Sequence, residues 1–176
     1  MVGWPKEGQF VEFKVGDNVV YPSQGAGKVE EKTTRAVLGE THDYLRISFV
    51  RGDMDVLVPL KKGQEVGLRH TFKADELESI FTTLRKADLE LPTQWPPRYR
   101  AEQDILSGGN AFDLAQLIGT LAQRDLEKGL AATEREMLEG AKAMLASELA
   151  VVQDVSLSEA QKQINETLEA NLGANV

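Results

Sequence analysis

Trp95 stands in the stretch LPTQWPPRYR, residues 91–100, with Pro96 and Pro97 directly after it and Arg98, Tyr99 and Arg100 completing the run. An indole beside cations suits a nucleic acid: the ring can wedge into an unstacked base step while the cations grip the phosphates around it. Arginines in the first turn of a helix also oppose its dipole, a small cost that a bound phosphate relieves. The competing reading makes Trp95 a core anchor where a β-rich half meets a helical half. The Pro-Pro pair is then a rigid stop, and Arg98 and Arg100 are merely exposed.

Other chemistries find less support. GAGK, Gly25 to Lys28, resembles the end of a phosphate-binding loop, but such a loop needs an earlier Gly, a following Ser or Thr, and a helix. Here those places hold Pro22, Val29 and a β-rich segment, so a hairpin turn that needs glycines is the expected role. His42 and His70 are the only imidazoles, and neither stands at helical spacing from a second strong ligand, so no metal site is expected. With no cysteine there is neither a thiol nucleophile nor a disulfide framework, and no serine stands in a recognisable triad. An enzyme is not expected, and neither is a cofactor.

The absence of cysteine fits a reducing, cytoplasmic setting. No stretch is apolar enough for a signal peptide or a membrane span, so no membrane partner is expected. The formal charge is −8, unevenly placed: Lys plus Arg and Asp plus Glu number ten and ten in residues 1–71, but ten and eighteen in residues 72–176. An acidic total disfavours general affinity for DNA. Any nucleic-acid contact must therefore be local and helped by something else.

The elements that must position these residues fall into two kinds. NVVYP, GKVEEKTTRAV, DYLRISFV and MDVLVPL are short segments rich in Val, Ile, Leu, Tyr and Thr, separated by turn formers. They predict a β meander, most economically a small bent sheet or barrel of the SH3 or Tudor type. After Phe72 the period becomes helical: Leu77, Ile80, Phe81 and Leu84, then Leu114, Leu117, Ile118 and Leu121. Helices are predicted over residues 75–86, 98–107, 112–128, 134–153 and 157–170. Asn110, Thr133 and Ser156 are the expected caps, and Gly108, Gly109 and Gly129 the stops. The fold class is α+β in two domains: a loose tail over 1–10, a β domain over 11–71 and a compact all-α domain over 72–176.

Taken together, FKVGDNVVYPSQGAGKVEE, DYLRISF, VPLKKGQEVGLR, LPTQWPPRYR and the run from ILSGGNAFDL to AMLASELA resemble the CarD and CarD-like family of bacterial transcription regulators, from Phe13 to Leu172. The first part also resembles the polymerase-interacting module of the bacterial transcription-repair coupling factor.

The resemblance implies a Tudor-like domain that docks on the β subunit of RNA polymerase, and a helical domain that reaches promoter DNA. There a Trp acts as a minor-groove wedge at the upstream edge of the bubble and stabilises the open complex. Trp95 matches that Trp, and Arg98, Tyr99 and Arg100 match the basic and aromatic positions beside it. Pro97 departs from relatives that carry a further basic residue there. Arg35 matches a polymerase-facing Arg, whereas Leu57 stands where some relatives carry Arg. The candidate docking strand is Met54, Asp55, Val56, Leu57, Val58 and Pro59, either as an exposed sheet edge or as an interior strand of the barrel. Arg124, Lys128 and Arg135 form a possible second DNA contact around Gly129, with solvated surface as the alternative. A monomer is expected. The rival from another class is a protein-protein adaptor on polymerase that never touches DNA.

Overall fold

A computed structural model describes residues 12–174. The tail expected over residues 1–10 lies outside the described residues. The β half is a five-stranded sheet: β1 (Asn18–Tyr21), β2 (Gly25–Val37), β3 (Glu40–Phe49), β4 (Met54–Pro59) and β5 (Arg69–His70). The strands lie in the order β4-β3-β2-β1-β5, and every pairing is antiparallel. β4 and β5 are therefore its edges, so the alternative of an interior position for Met54–Pro59 is ruled out. β2 and β3 run on together past the end of β4, which stops opposite Tyr44, and this overhang is solvated.

One face of the sheet closes over Phe13, Val19, Val29, Leu45, Ile47, Phe49, Val58 and Leu68. A short helix absent from the sequence reading, α1 (Leu60–Val66), follows β4 directly. It is framed by Pro59 and by Gly67 at φ 92, the ordinary punctuation of a helix. Gly63 inside it masks the pattern, although a side chain there would press on Leu68 and Val58.

The GAGK glycines have a different role from the one expected. The β1–β2 turn is made by Pro22, Ser23 and Gln24, with Ser23 itself at φ 73. Gly25 and Gly27 are buried inside β2. A Cβ on Gly27 would come within 2.5 Å of the Ser48 carbonyl oxygen, and one on Gly25 within 2.8 Å of Ser147 Oγ.

The helical half begins with a 3-10 turn (Ala74–Glu76) that leads into α2 (Leu77–Lys86). α3 (Pro97–Gly108), α4 (Ala111–Lys128), α5 (Ala132–Gln153) and α6 (Leu157–Ala174) follow. Asn110 caps α4 by accepting a hydrogen bond from Asp113 N at 3.0 Å, and Ser156 Oγ accepts from Glu159 N at the start of α6. Thr133 is not a cap, because α5 starts earlier, after the extended residue Ala131, and Thr133 lies in its first turn. Gly109 and Gly129 follow the ends of α3 and α4, while Gly108 is the last residue of α3.

The predicted stripe Leu114, Leu117, Ile118 and Leu121 is buried throughout, packed on Ile80, Leu84, Leu145, Leu149 and Ile164. Val20 and Ala26 from the sheet join this same core, so α5 lies against the second face of the sheet. Polar groups fix the junction. Ser147 Oγ accepts from Ala26 N at 3.0 Å, and the Arg69 guanidinium grips both Glu148 oxygens at 2.7 and 3.1 Å. Among the described residues no helix is long and apolar enough to cross a membrane.

Candidate nucleic-acid interface

The segment carrying Trp95 connects α2 to α3, so it lies inside the helical half and not at the junction of the two halves. Its first part is tied down: Leu89 and Leu91 pack on the helical core, and Leu89 N donates to Thr120 Oγ1 at 3.0 Å. From Pro92 to Pro97 the residues are exposed. The Trp95–Pro96 peptide is cis, and Pro97 takes the first position of α3, where its missing N–H costs nothing.

Trp95 is 46% exposed, so it is not the sealed core anchor of the competing reading. The ring is nevertheless mounted. Tyr99 lies 5.1 Å away at a tilt of 59°, and the Arg98 guanidinium carbon lies 5.4 Å from the indole centroid, within cation–π range. A ring held by its neighbours, with the rest of its surface in solvent, suits stacking or insertion.

Arg98 and Arg100 separate sharply. Arg100 is exposed and has no ion-pair partner among the described residues. Arg98 is 9% exposed. It donates through Nη1 to Thr93 O at 2.8 Å and through Nη2 to Glu134 Oε1 at 2.6 Å, and its Nε lies 3.7 Å from Glu102 Oε1. Arg98 is thus not the merely exposed cation of the competing reading: its donors turn inward, beneath Trp95.

Behind Arg98 lies a charge cluster that the sequence reading missed. Glu102 is fully buried, as is Glu134 but for 2%. Arg124 Nε approaches Glu134 Oε2 to 3.8 Å. Burial pushes the Glu102 carboxyl up to about 7, the neighbouring Glu134 charge adds to the rise, and Arg98 and Arg124 oppose it.

The second basic group divides in the same way. Arg124 faces the buried Glu134, Arg135 binds Asp125 at 3.3 Å, and Lys128 is exposed without an ion-pair partner among the described residues. Through Glu134 this group is joined to the mount of Trp95, a link that the sequence spacing did not suggest.

On the sheet, Arg35 is exposed on the β2–β3 overhang, opposite His42. Along β4, Met54 and Pro59 are exposed, Val56 and Leu57 are half-buried, and Asp55 binds Arg46 at 3.1 Å. Arg46 also holds Glu31 at 3.2 Å, a ladder of charge across β2, β3 and β4. Among the described residues no group of His, Asp and Glu is arranged to hold a metal ion.

Comparison with known proteins agrees with this layout. Residues 13–70 match the family described as CarD-like/TRCF RID domain, and residues 79–165 match CarD, C-terminal domain. YdeB of Bacillus subtilis (strain 168), whose given name makes it a candidate transcription factor, is 30% identical over 152 residues, spanning 86% of this chain and 97% of YdeB. With both halves matched in order and nearly the whole length aligned, the chain belongs to the CarD-like family, a family of transcription factors.

Proposed function

We propose that the protein is a bacterial transcription regulator that binds the β subunit of RNA polymerase through its sheet and stabilises the promoter open complex with Trp95, set as a wedge at the upstream edge of the bubble. The observation that carries this reading is the half-exposed indole mounted on Arg98 and Tyr99. Arg100 grips backbone phosphate beside the wedge, and Lys128, exposed and without an ion-pair partner among the described residues, is a further contact. Arg98 acts from beneath by holding the ring.

The exposed edge β4 supports docking by strand pairing, with Met54 and Pro59 at its ends and Arg35 on the overhang nearby. The acidic total of −8 is compatible with this role. Docking delivers the helical half to one address, where DNA is present at an effective concentration of roughly millimolar, so few phosphate contacts suffice. The protein works as a cytoplasmic monomer without cofactor and without catalysis.

The test is Trp95→Ala in the full chain. Polymerase binding survives and the lifetime of open complexes on a responsive promoter falls. An unchanged lifetime rejects the wedge. One observation favours a pure protein adaptor instead: three of the five arginines and lysines in the two predicted DNA clusters, Arg98, Arg124 and Arg135, face acids. On that reading Trp95→Ala weakens capture of a protein partner and leaves DNA crosslinking to the helical half undetected.

A further inference from the structure

Beneath Trp95 two carboxyl groups from facing helices, Glu102 on α3 and Glu134 on α5, are buried together with Arg98 and Arg124. The hydrogen bonds do not balance if both acids are ionised. Neither Glu102 oxygen has a donor, and Glu134 Oε2 and Arg98 Nε are also without a partner. A buried carboxylate with no donor is costly, and an ionised carboxylate can only accept. One proton resolves half of the deficit, pairing one Glu102 oxygen with Glu134 Oε2. Protonated Glu102 becomes a donor, and Glu134 lies within its hydrogen-bonding reach. Arg98 is then left to Glu134 Oε1, the Thr93 carbonyl and the face of Trp95.

Without that proton, Glu102 is a second anion 3.7 Å from the unpartnered Arg98 Nε. The attraction draws the guanidinium deeper, away from Thr93 and the indole. We propose that Glu102 is a proton-switched positioning residue for Trp95: a proton shared with Glu134 keeps Arg98 against the ring, and loss of that proton pulls Arg98 inward and frees the ring. The charged groups facing Glu102 are Arg98 on its own helix, Arg124 from α4 and Glu134 from α5. Their balance holds the carboxyl near about 7, so the switch works around neutrality. Both histidines lie in the sheet, His42 on β3 and His70 on β5, and neither is part of this cluster. The effect on DNA rests on the wedge reading above; the effect on the ring does not.

The experiment uses the full chain carrying Trp4→Phe, which leaves Trp95 as its one indole. Trp95 emission and its quenching by acrylamide are followed from about pH 5 to about pH 9. The expected result is a single-proton step near about 7, with emission moving to the red and quenching rising as the pH rises. Glu102→Gln, which keeps the shape and the donor of the protonated acid, removes the step and holds the low-pH values.

A second measurement needs no variant at position 102: in carbon-13 spectra of the glutamate carboxyls, one group titrates well above the ordinary carboxyl range. Flat emission with Glu102 in place, a step that survives Glu102→Gln, or glutamates that all titrate in the ordinary range would each overturn the proposal. A step found alongside unchanged open-complex lifetime in Trp95→Ala rejects the wedge and keeps the switch. The reverse pair of results keeps the wedge and rejects the switch.

Discussion

Arg98 and Arg100 share one turn of α3 and divide two tasks between them. Replacing Arg98 by Ala strands two buried acids, Glu102 and Glu134, without their nearest cation, and is expected to cost about 3–5 kcal/mol in chemical denaturation. Replacing the exposed Arg100 by Ala leaves stability within about 0.5 kcal/mol. On the proposed wedge reading it instead weakens DNA crosslinking and lowers the salt dependence of binding by roughly one phosphate contact. Equal effects of the two variants on stability would show this division to be mistaken.

Glu102 gives stability a pH dependence of definite sign. Its carboxyl rises from 4.5 to about 7 on folding, so the folded chain keeps a proton that the unfolded chain releases. The resulting stabilisation is complete below about 4.5 and is lost as the pH climbs through about 7. Glu102→Gln should remove this loss, with the unfolding free energies of variant and parent, from urea denaturation, diverging by on the order of 3 kcal/mol above neutrality.

At the scale of elements, α2 and α4 meet where Gly119 has no side chain. A Cβ there would collide with the Leu84 carbonyl oxygen, a backbone atom that cannot step aside. Gly119→Ala improves helix propensity by about 1 kcal/mol but is expected to cost about 1–3 kcal/mol net through overpacking, seen as a lower melting temperature. The helices themselves were legible, because Leu114, Leu117, Ile118 and Leu121 repeat at the helical period and all are buried. The strands were legible from their β-branched runs between turn formers. α1 escaped because seven residues with an internal glycine carry too little periodicity to read, and β5 because two residues carry none.

The buried charges were partly legible and went unread. Glu102 precedes Ile105 and Leu106, Glu134 precedes Met137, Leu138 and Ala141, and Glu148 follows Ala141, Met144 and Leu145, each at core spacing. An acid on the apolar stripe of a helix marks a buried ionic site. Spacing alone, however, does not say which distant cation meets it, and Arg69 with Glu148 is such a long-range pair. The exposure of Trp95 is legible only in that its neighbours are polar and stiff. The inward turn of Arg98 depends on Glu134 from another helix, which no local pattern encodes.

For the whole molecule, the two halves meet through Val20, Ala26 and the contacts of Ser147 and Glu148. Glu148 also accepts from Phe72 N at 3.2 Å, at the point where the chain passes from sheet to helices. Glu148→Ala removes the acid and leaves Arg69 without its partner, with an expected cost of about 3–5 kcal/mol. Faster hydrogen exchange should then appear at β5 and the neighbouring end of α5, ahead of the centre of α4. Exchange that rises evenly through the chain would instead mean that this contact does not hold the halves together.

α5 carries Glu134 near one end and Ser147 with Glu148 near the other. Between Glu134 and Ser147 a helix rises about 20 Å, at 1.5 Å per residue. The spacing from the sheet to the mount of Trp95 is thus set by residue count along one rod and not by any loop. Adding a single residue to that span turns one end relative to the other by about 100°, so its length is a dimension of the machine that drift in sequence can recolour but scarcely resize.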